Sequence, residues 1–260
     1  MNTDSSAAWH ERPTWYWPSS PDPSKFKSKD AKSTESIRFA SATPGNASDG
    51  QLNHRTSKER AVKHSPSQRG LLWVDAVGGF LVCRQASVTI GQAIPNTEVE
   101  IPVLGDLSRR HTVVQREGER YVIEPVEEVR VAEKRITKVE LLHDGDELLL
   151  GGSVRLRFRQ PHALSATARL EILSHHGTRP SCDGILLMAD AMILGPDARH
   201  HVVCRNWSGQ VVLSRTEGSA LRYRAPESVE LDGHWGAETG VLSANSRLVG
   251  PDFALSWEEM

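Results

Sequence analysis

From Leu71 to Phe158 the chain is a succession of short β-branched or aromatic runs, each cut off by Gly, Pro or Asn within a few residues. That spacing leaves no room for a helix of ordinary length. Leu71-Leu72-Trp73-Val74-Asp75-Ala76-Val77 is followed by a Gly78-Gly79 turn signal, and Phe80-Leu81-Val82-Cys83 resumes the apolar pattern. Val88-Thr89-Ile90, Val99-Glu100-Ile101, Thr112-Val113-Val114, Tyr121-Val122-Ile123 and Val129-Arg130-Val131 come next. Leu148-Leu149-Leu150, a Gly151-Gly152 turn and the strictly alternating Val154-Arg155-Leu156-Arg157-Phe158 close the series. No stretch in residues 70–161 carries apolar residues at helical spacing. Many short strands with frequent turns predict an all-β sandwich or barrel.

The pattern then begins again. Ala168–Leu173 alternates like an opening strand, Gly184–Met188 echoes Gly79–Cys83, and Ile193-Leu194-Gly195 echoes Thr89-Ile90-Gly91. Further on the offset settles near one hundred: Ser108 falls on Ser208, Arg116-Glu117-Gly118 on Thr216-Glu217-Gly218, and Val129–Val131 on Val229–Leu231. Any two β-domains can be slid into partial agreement, but a near-constant offset over four strands favours duplication. The expected organisation is a tail over 1–69, a first β-domain over 70–161 and a second over 164–260, packed side by side across a short linker.

Composition separates the tail from the rest. Residues 1–69 carry eleven basic and seven acidic residues, a net +4, which leaves −6 for residues 70–260 out of a total of −2. The tail is rich in Ser, Lys, Asp and Pro and has no periodic apolar run. It cannot bury enough surface to offset its ordering entropy, and disorder is expected. No run of about 20 apolar residues offers a membrane helix, and the start of the chain does not read as a signal peptide. Cys83, Cys182 and Cys204 are scattered and odd in number, against a disulfide framework. A cytoplasmic location is expected, with no membrane partner. The near-neutral charge gives no electrostatic case for nucleic acid.

Three segments carry chemistry: Val88-Thr89-Ile90-Gly91-Gln92, then Leu107-Ser108-Arg109-Arg110-His111, then Leu141–Gly151 with its Asp144-Gly145-Asp146 turn. In this order, on an all-β background, they resemble the forkhead-associated (FHA) family over about Leu71 to Gln160. The resemblance implies a β-sandwich that binds phosphothreonine peptides with the loops at one end, without catalysis and without a cofactor. A phosphothreonine presents a charge near −2 and three acceptor oxygens. Its receptor needs a short fixed hydroxyl and guanidinium donors. Carried onto this chain, the resemblance makes Ser108 the hydroxyl donor, Arg109 and Arg110 phosphate donors, and Gly91 and His111 structural supports. Arg109 and Arg110 read equally well as two solvated loop cations.

Two departures weigh on activity. The family's phosphate-gripping Arg after the Gly is here Gln92, which donates without charge. Loss of a charge-assisted bond worth roughly 1.5–3 kcal/mol corresponds to about 10- to 100-fold in affinity. The family's Asn-Gly loop is replaced by Glu124-Pro125-Val126-Glu127-Glu128-Val129, which is shorter and acidic. The second repeat keeps Gly195 and Ser208 but has Pro196 at the Arg position and Val211 at the His position, and reads as a degenerate, protein-interacting unit.

No nucleophile–base arrangement, P-loop or dinucleotide fingerprint is present, so no enzyme activity is expected. The pairs His175-His176 and His200-His201 point to opposite faces of a strand, which argues against a metal site. In the tail, Trp9, Trp15, Tyr16 and Trp17 form an aromatic cluster: a docking motif, a segment folded onto the sandwich, or neither. The resemblance implies an aliphatic residue three positions after the phosphothreonine, which in the tail only Thr34 has, as Ile37. A flexible chain of the intervening length spans about 30 Å, so phosphorylated Thr34 could reach Ser108 and Arg109 in cis. The sequence therefore predicts a phosphothreonine-dependent adaptor in Ser/Thr kinase signalling, with a phosphate-independent protein-interaction scaffold as the alternative.

Overall fold

The computed structural model describes residues 68–260, apart from 96, 97, 163 and 219. Thr34, Ile37 and the aromatic cluster from Trp9 to Trp17 lie outside the described residues. Within them the chain is all β, as expected, with no helix and hence none long and apolar enough to cross a membrane.

The first strands are β1 (Arg69–Val74), β2 (Gly78–Cys83), β3 (Ser87–Gln92), β4 (Ile101–Leu104), β5 (Thr112–Glu117) and β6 (Arg120–Pro125). Next come β7 (Val129–Val131), β8 (Lys134–Ile136), β9 (Glu140–Leu142), β10 (Glu147–Leu150) and β11 (Val154–Arg159). The series continues with β12 (Ala168–Ile172), β13 (Gly177–Thr178), β14 (Gly184–Leu187), β15 (Ala191–Gly195), β16 (Val202–Val203) and β17 (Val211–Arg215). It ends with β18 (Leu221–Arg224), β19 (Glu230–Leu231), β20 (His234–Trp235), β21 (Thr239–Leu242), β22 (Ser246–Val249) and β23 (Ala254–Glu259).

They form three sheets. A 12-stranded sheet runs β20-β19-β22-β23-β1-β2-β14-β12-β11-β10-β7-β8. A 6-stranded sheet, β13-β4-β3-β5-β6-β9, and a 5-stranded sheet, β16-β15-β17-β18-β21, complete the set. Two cores result. The first joins the 6-stranded sheet, through Val88, Ile90, Val114 and Ile123, to Leu148, Leu156 and Phe158 of the large sheet. The second joins Leu194, Leu213 and Tyr223 of the 5-stranded sheet to Leu248, Leu255 and Trp257. Complete burial of a Leu, Ile or Phe side chain contributes about 1.5–3 kcal/mol, so these residues dominate the stabilisation of each sandwich.

The opening hairpins cross between the cores. β1 pairs with β23, placing Leu72 opposite Trp257, and Leu72, Val74 and Val82 are buried in the second core. β12 pairs with β11, placing Leu170 opposite Phe158, and Ala168, Leu170, Ile185 and Leu187 are buried in the first. β2 and β14 meet in parallel, Leu81 opposite Ile185, and join the two halves into one sheet. Strands buried on both faces read as unbroken apolar runs instead of alternating ones. That accounts for Phe80–Cys83 and Ile185–Met188, where Leu81 and Ile185 enter one core and Val82 and Leu186 the other. The stretch between residues 160 and 167 is the connection between two paired antiparallel strands. Tyr121 ties this seam down: its one hydroxyl proton is shared between the carbonyls of Ala166 (2.8 Å) and Leu187 (3.1 Å), and burial pushes its pKa up.

Candidate functional site

Gly91 ends the buried part of β3, and the chain returning from β4 crosses directly over it. A Cβ on Gly91 would lie 2.0 Å from the carbonyl oxygen of Arg109 and 2.7 Å from its carbon. Backbone atoms cannot swing aside, so only glycine fits. The crossing is fastened on both sides. The Gln92 N–H donates to the Ser108 carbonyl (3.0 Å) and the His111 N–H to the Ile90 carbonyl (2.9 Å).

His111 is buried and braces two loops with its ring. Nδ1 accepts from the Ser108 N–H (3.4 Å), and Nε2 lies 2.9 Å from the Glu128 carbonyl. Those partners assign the proton to Nε2, in the neutral tautomer. The His111 carbonyl in turn accepts from Val126 N–H (3.1 Å) and Glu127 N–H (3.0 Å). Gly151, in the turn between β10 and β11, presses on the same loop from below. Its φ is +58°, and a Cβ there would come within 2.6 Å of the Asp106 carbonyl oxygen. Thus Gly91, Gln92, Ser108, Arg109 and His111, distant in sequence, are brought together at one end of the first sandwich.

The side chains of Ser108, Arg109 and Arg110 are exposed, and none makes a hydrogen bond or ion pair among the described residues. Gln92 is half-buried, and its amide is likewise unengaged there. The acidic loop adjoins the site through its backbone. The Glu128 carboxylate faces Arg130 (3.4 Å), whereas Glu127 is exposed and unpaired among the described residues. The arrangement offers an anion a hydroxyl, two guanidiniums and a neutral amide on a braced loop.

The second sandwich has a corresponding loop with different content. Leu194 pairs with Val211 as Ile90 pairs with Thr112, so Gln210, one residue before Val211, stands level with His111. A Cβ on Gly195 would meet not backbone but the His200 ring, 2.8 Å away at Nδ1. Arg199 is closed onto Asp197 (2.9 Å), whose carboxyl it holds well below the usual range. The Ser208 N–H donates to the Asp252 carboxylate. His201 is fully buried: Nδ1 accepts from the Ile193 N–H (2.9 Å), Nε2 has no partner among the described residues, and the ring stacks on His162 at 6.2 Å. Burial first, then the nearby His162, His200 and Arg169, push its pKa down to about 4. Gln210, not Val211, therefore stands at the His position, because the offset between the halves changes within this loop.

Among the described residues no cluster of three or more His, Cys, Asp or Glu is placed to hold a metal ion. Burial pushes the thiols of Cys83 and Cys204 up to about 12, leaving both protonated at neutral pH.

No family model matches the chain, and no curated protein matches it. Solved structures do. The chain is similar to the FHA-2 domain of the Mycobacterium tuberculosis ABC transporter Rv1747, at 17% identity over 48% of this chain and 89% of that one, with a TM-score of 0.25. It is also similar to M. tuberculosis EmbR in complex with a low-affinity phosphopeptide, at 27% identity over 32% of this chain and 22% of that one, TM-score 0.25. A third, from work on phosphothreonine-dependent FHA domain interactions, has 23% identity over 32% of this chain and 88% of that one, TM-score 0.24. The three sequence segments that carry the resemblance converge: Gly91 lies against the backbone of Ser108 and Arg109, and Gly151 lies against Asp106, Leu107 and His111.

Proposed function

We propose that the chain is a non-catalytic, phosphothreonine-dependent protein-binding adaptor acting in Ser/Thr kinase signalling in the cytoplasm, with Ser108, Arg109 and Arg110 as the phosphate donors and Gln92 as an uncharged helper. One observation carries this reading. The Ser108–His111 loop is fixed by backbone bonds and a buried imidazole, yet its hydroxyl and both guanidiniums are left unengaged. In the other half the corresponding loop instead pairs Arg199 with Asp197. A loop backbone already held by hydrogen bonds also lowers the entropic cost of capture.

The test is a fluorescence anisotropy titration with peptides presented in paired phosphothreonine and threonine forms. Binding should require the phosphate and weaken about tenfold in Arg109→Ala, the loss of one charge-assisted bond. Gln92→Arg should strengthen it.

A second reading is a scaffold that binds protein without phosphate. It is favoured by the neutral Gln92 and by the exposed Glu127 beside the loop, which would repel a phosphate dianion. Equal affinity for both peptide forms would select it.

A further inference from the structure

The 12-stranded sheet leaves half of one face bare. Arg169 pairs with Leu186, so the outward face of β12 continues into the face that carries the second core. Beyond that core, β8, β7, β10, β11 and β12 turn outward Arg135, Arg130, Arg155, Arg157, Arg159 and Arg169, with only Glu147 and Glu171 among them. The register lines them up. Arg135, Arg130, Leu149 and Arg155 form one row across four strands, continued by Leu173, whose N–H donates to the Arg155 carbonyl (2.9 Å). No acid stands in that row.

The internal neutralisation is incomplete. Glu147 is shared by Arg155 (2.8 Å) and Arg157 (2.7 Å), and Glu171 by Arg157 (3.7 Å) and Arg169 (2.5 Å). Arg159 is held by Asp144 (2.9 Å) and Arg130 by Glu128 (3.4 Å), while Arg135 has no partner among the described residues. Arg130 and Arg135 stand directly opposite one another across adjacent strands. Like charges so placed destabilise a sheet, so folding alone does not account for the row.

The face is bordered on one side. At Arg159 and Arg169 it runs into a cavity of about 900 Å³ whose far wall includes Arg205 and Trp207 of the second sandwich. The acids there are already engaged: Asp75 with Arg247 (2.9 Å), Asp183 with the Gly79 N–H (2.7 Å) and Asp252 with the Ser208 N–H.

We infer that this face docks an acidic polypeptide segment with spaced apolar side chains, bound separately from the phosphothreonine loop. The carboxylates complete the shared arginines, and Leu149 and the exposed Leu173 supply apolar contact between them. Nucleic acid fits less well. None of these five strands turns an aromatic ring outward for a base to stack on.

The experiment titrates the full chain with a labelled, unphosphorylated peptide of alternating Glu and Leu. Binding should weaken with added salt, fall about tenfold in Arg135→Glu, and fall further when Arg155→Glu is added. Ser108→Ala should leave it unchanged, which separates this face from the phosphate site. Arg135 is exposed and unpaired among the described residues, so its replacement spares the fold, as the melting curve will verify. The proposal is overturned if the peptide does not bind, if Arg135→Glu binds as well as the parent, or if Ser108→Ala abolishes binding. Tighter binding of duplex DNA or phosphatidylserine vesicles at the same face would overturn it as well.

Discussion

Two glycines close two similar strands, and what crosses above them differs. Above Gly91 lies the backbone of Arg109; above Gly195 lies the ring of His200. The first loop is drawn down until main chain touches main chain, fastened by His111, and left with free polar side chains facing outward. The second fills the same space with a side chain, pairs the exposed Arg199 with Asp197 and buries His201. Two similar strand ends are thus closed in different ways, one by main chain and one by an imidazole ring.

The largest expected effect is on the first glycine. Gly91→Val should destabilise the fold by about 3 kcal/mol or more, because its side chain meets immovable backbone. Gly195→Ala should cost about 1 kcal/mol, since His200 can rotate away. Urea unfolding of both variants measures the contrast, and equal losses would break it.

Acid should act on the second loop. The folded pKa of His201, about 4, lies below its unfolded value of 6.5. Between those values the unfolded chain binds the extra proton, so stability is full above pH 6.5 and falls as the pH drops toward 4. The whole loss is on the order of 3 kcal/mol. His201→Gln should flatten that slope in the pH dependence of the unfolding midpoint.

His111→Ala should destabilise by about 2 kcal/mol, leaving the Ser108 N–H and the Glu128 carbonyl short of partners. Gln210 is exposed and its side chain makes no hydrogen bond among the described residues, so Gln210→Ala should change little. Thermal melts separate the two. Ser108→Ala should weaken phosphopeptide binding about tenfold without altering stability, whereas Ser208→Ala, which removes a hydroxyl bonded to the exposed Asp252, should lower stability slightly and leave binding unchanged.

Much of this was legible in the sequence, for definable reasons. Val154–Phe158 alternates because one face of β11 is buried and the other carries arginines. Gly91 and the Ser108–His111 loop were visible because they match, at short spacing, the residue types that carry the resemblance, and the structure brings the two segments into contact. The partner of β1 was not visible. An apolar run such as Leu71–Val74 suits β11 or β23 equally, and no local rule decides between strands so far along the chain. The unbroken runs Phe80–Cys83 and Ile185–Met188 did hold a signal, since burial on both faces marks strands at the middle of a shared sheet. The bracing of His111 by the Glu128 carbonyl was hidden, because every residue type has that atom.

The pairing of β1 with β23 has a mechanical consequence. Arg69 and Met260 are joined by a hydrogen bond at the mouth of this antiparallel pair, Met260 N–H to the Arg69 carbonyl at 3.2 Å. A force pulling these two residues apart would load the ladder one rung at a time, from Gly70 opposite Glu259 inward to Val74 opposite Leu255. It would peel the seam as a zip opens, without shearing all the rungs at once. Optical-tweezer traces with handles at Arg69 and Met260 should show low-force opening that empties the second core of Leu72 and Val74 first, while tension applied across β11 and β12 leaves that seam shut.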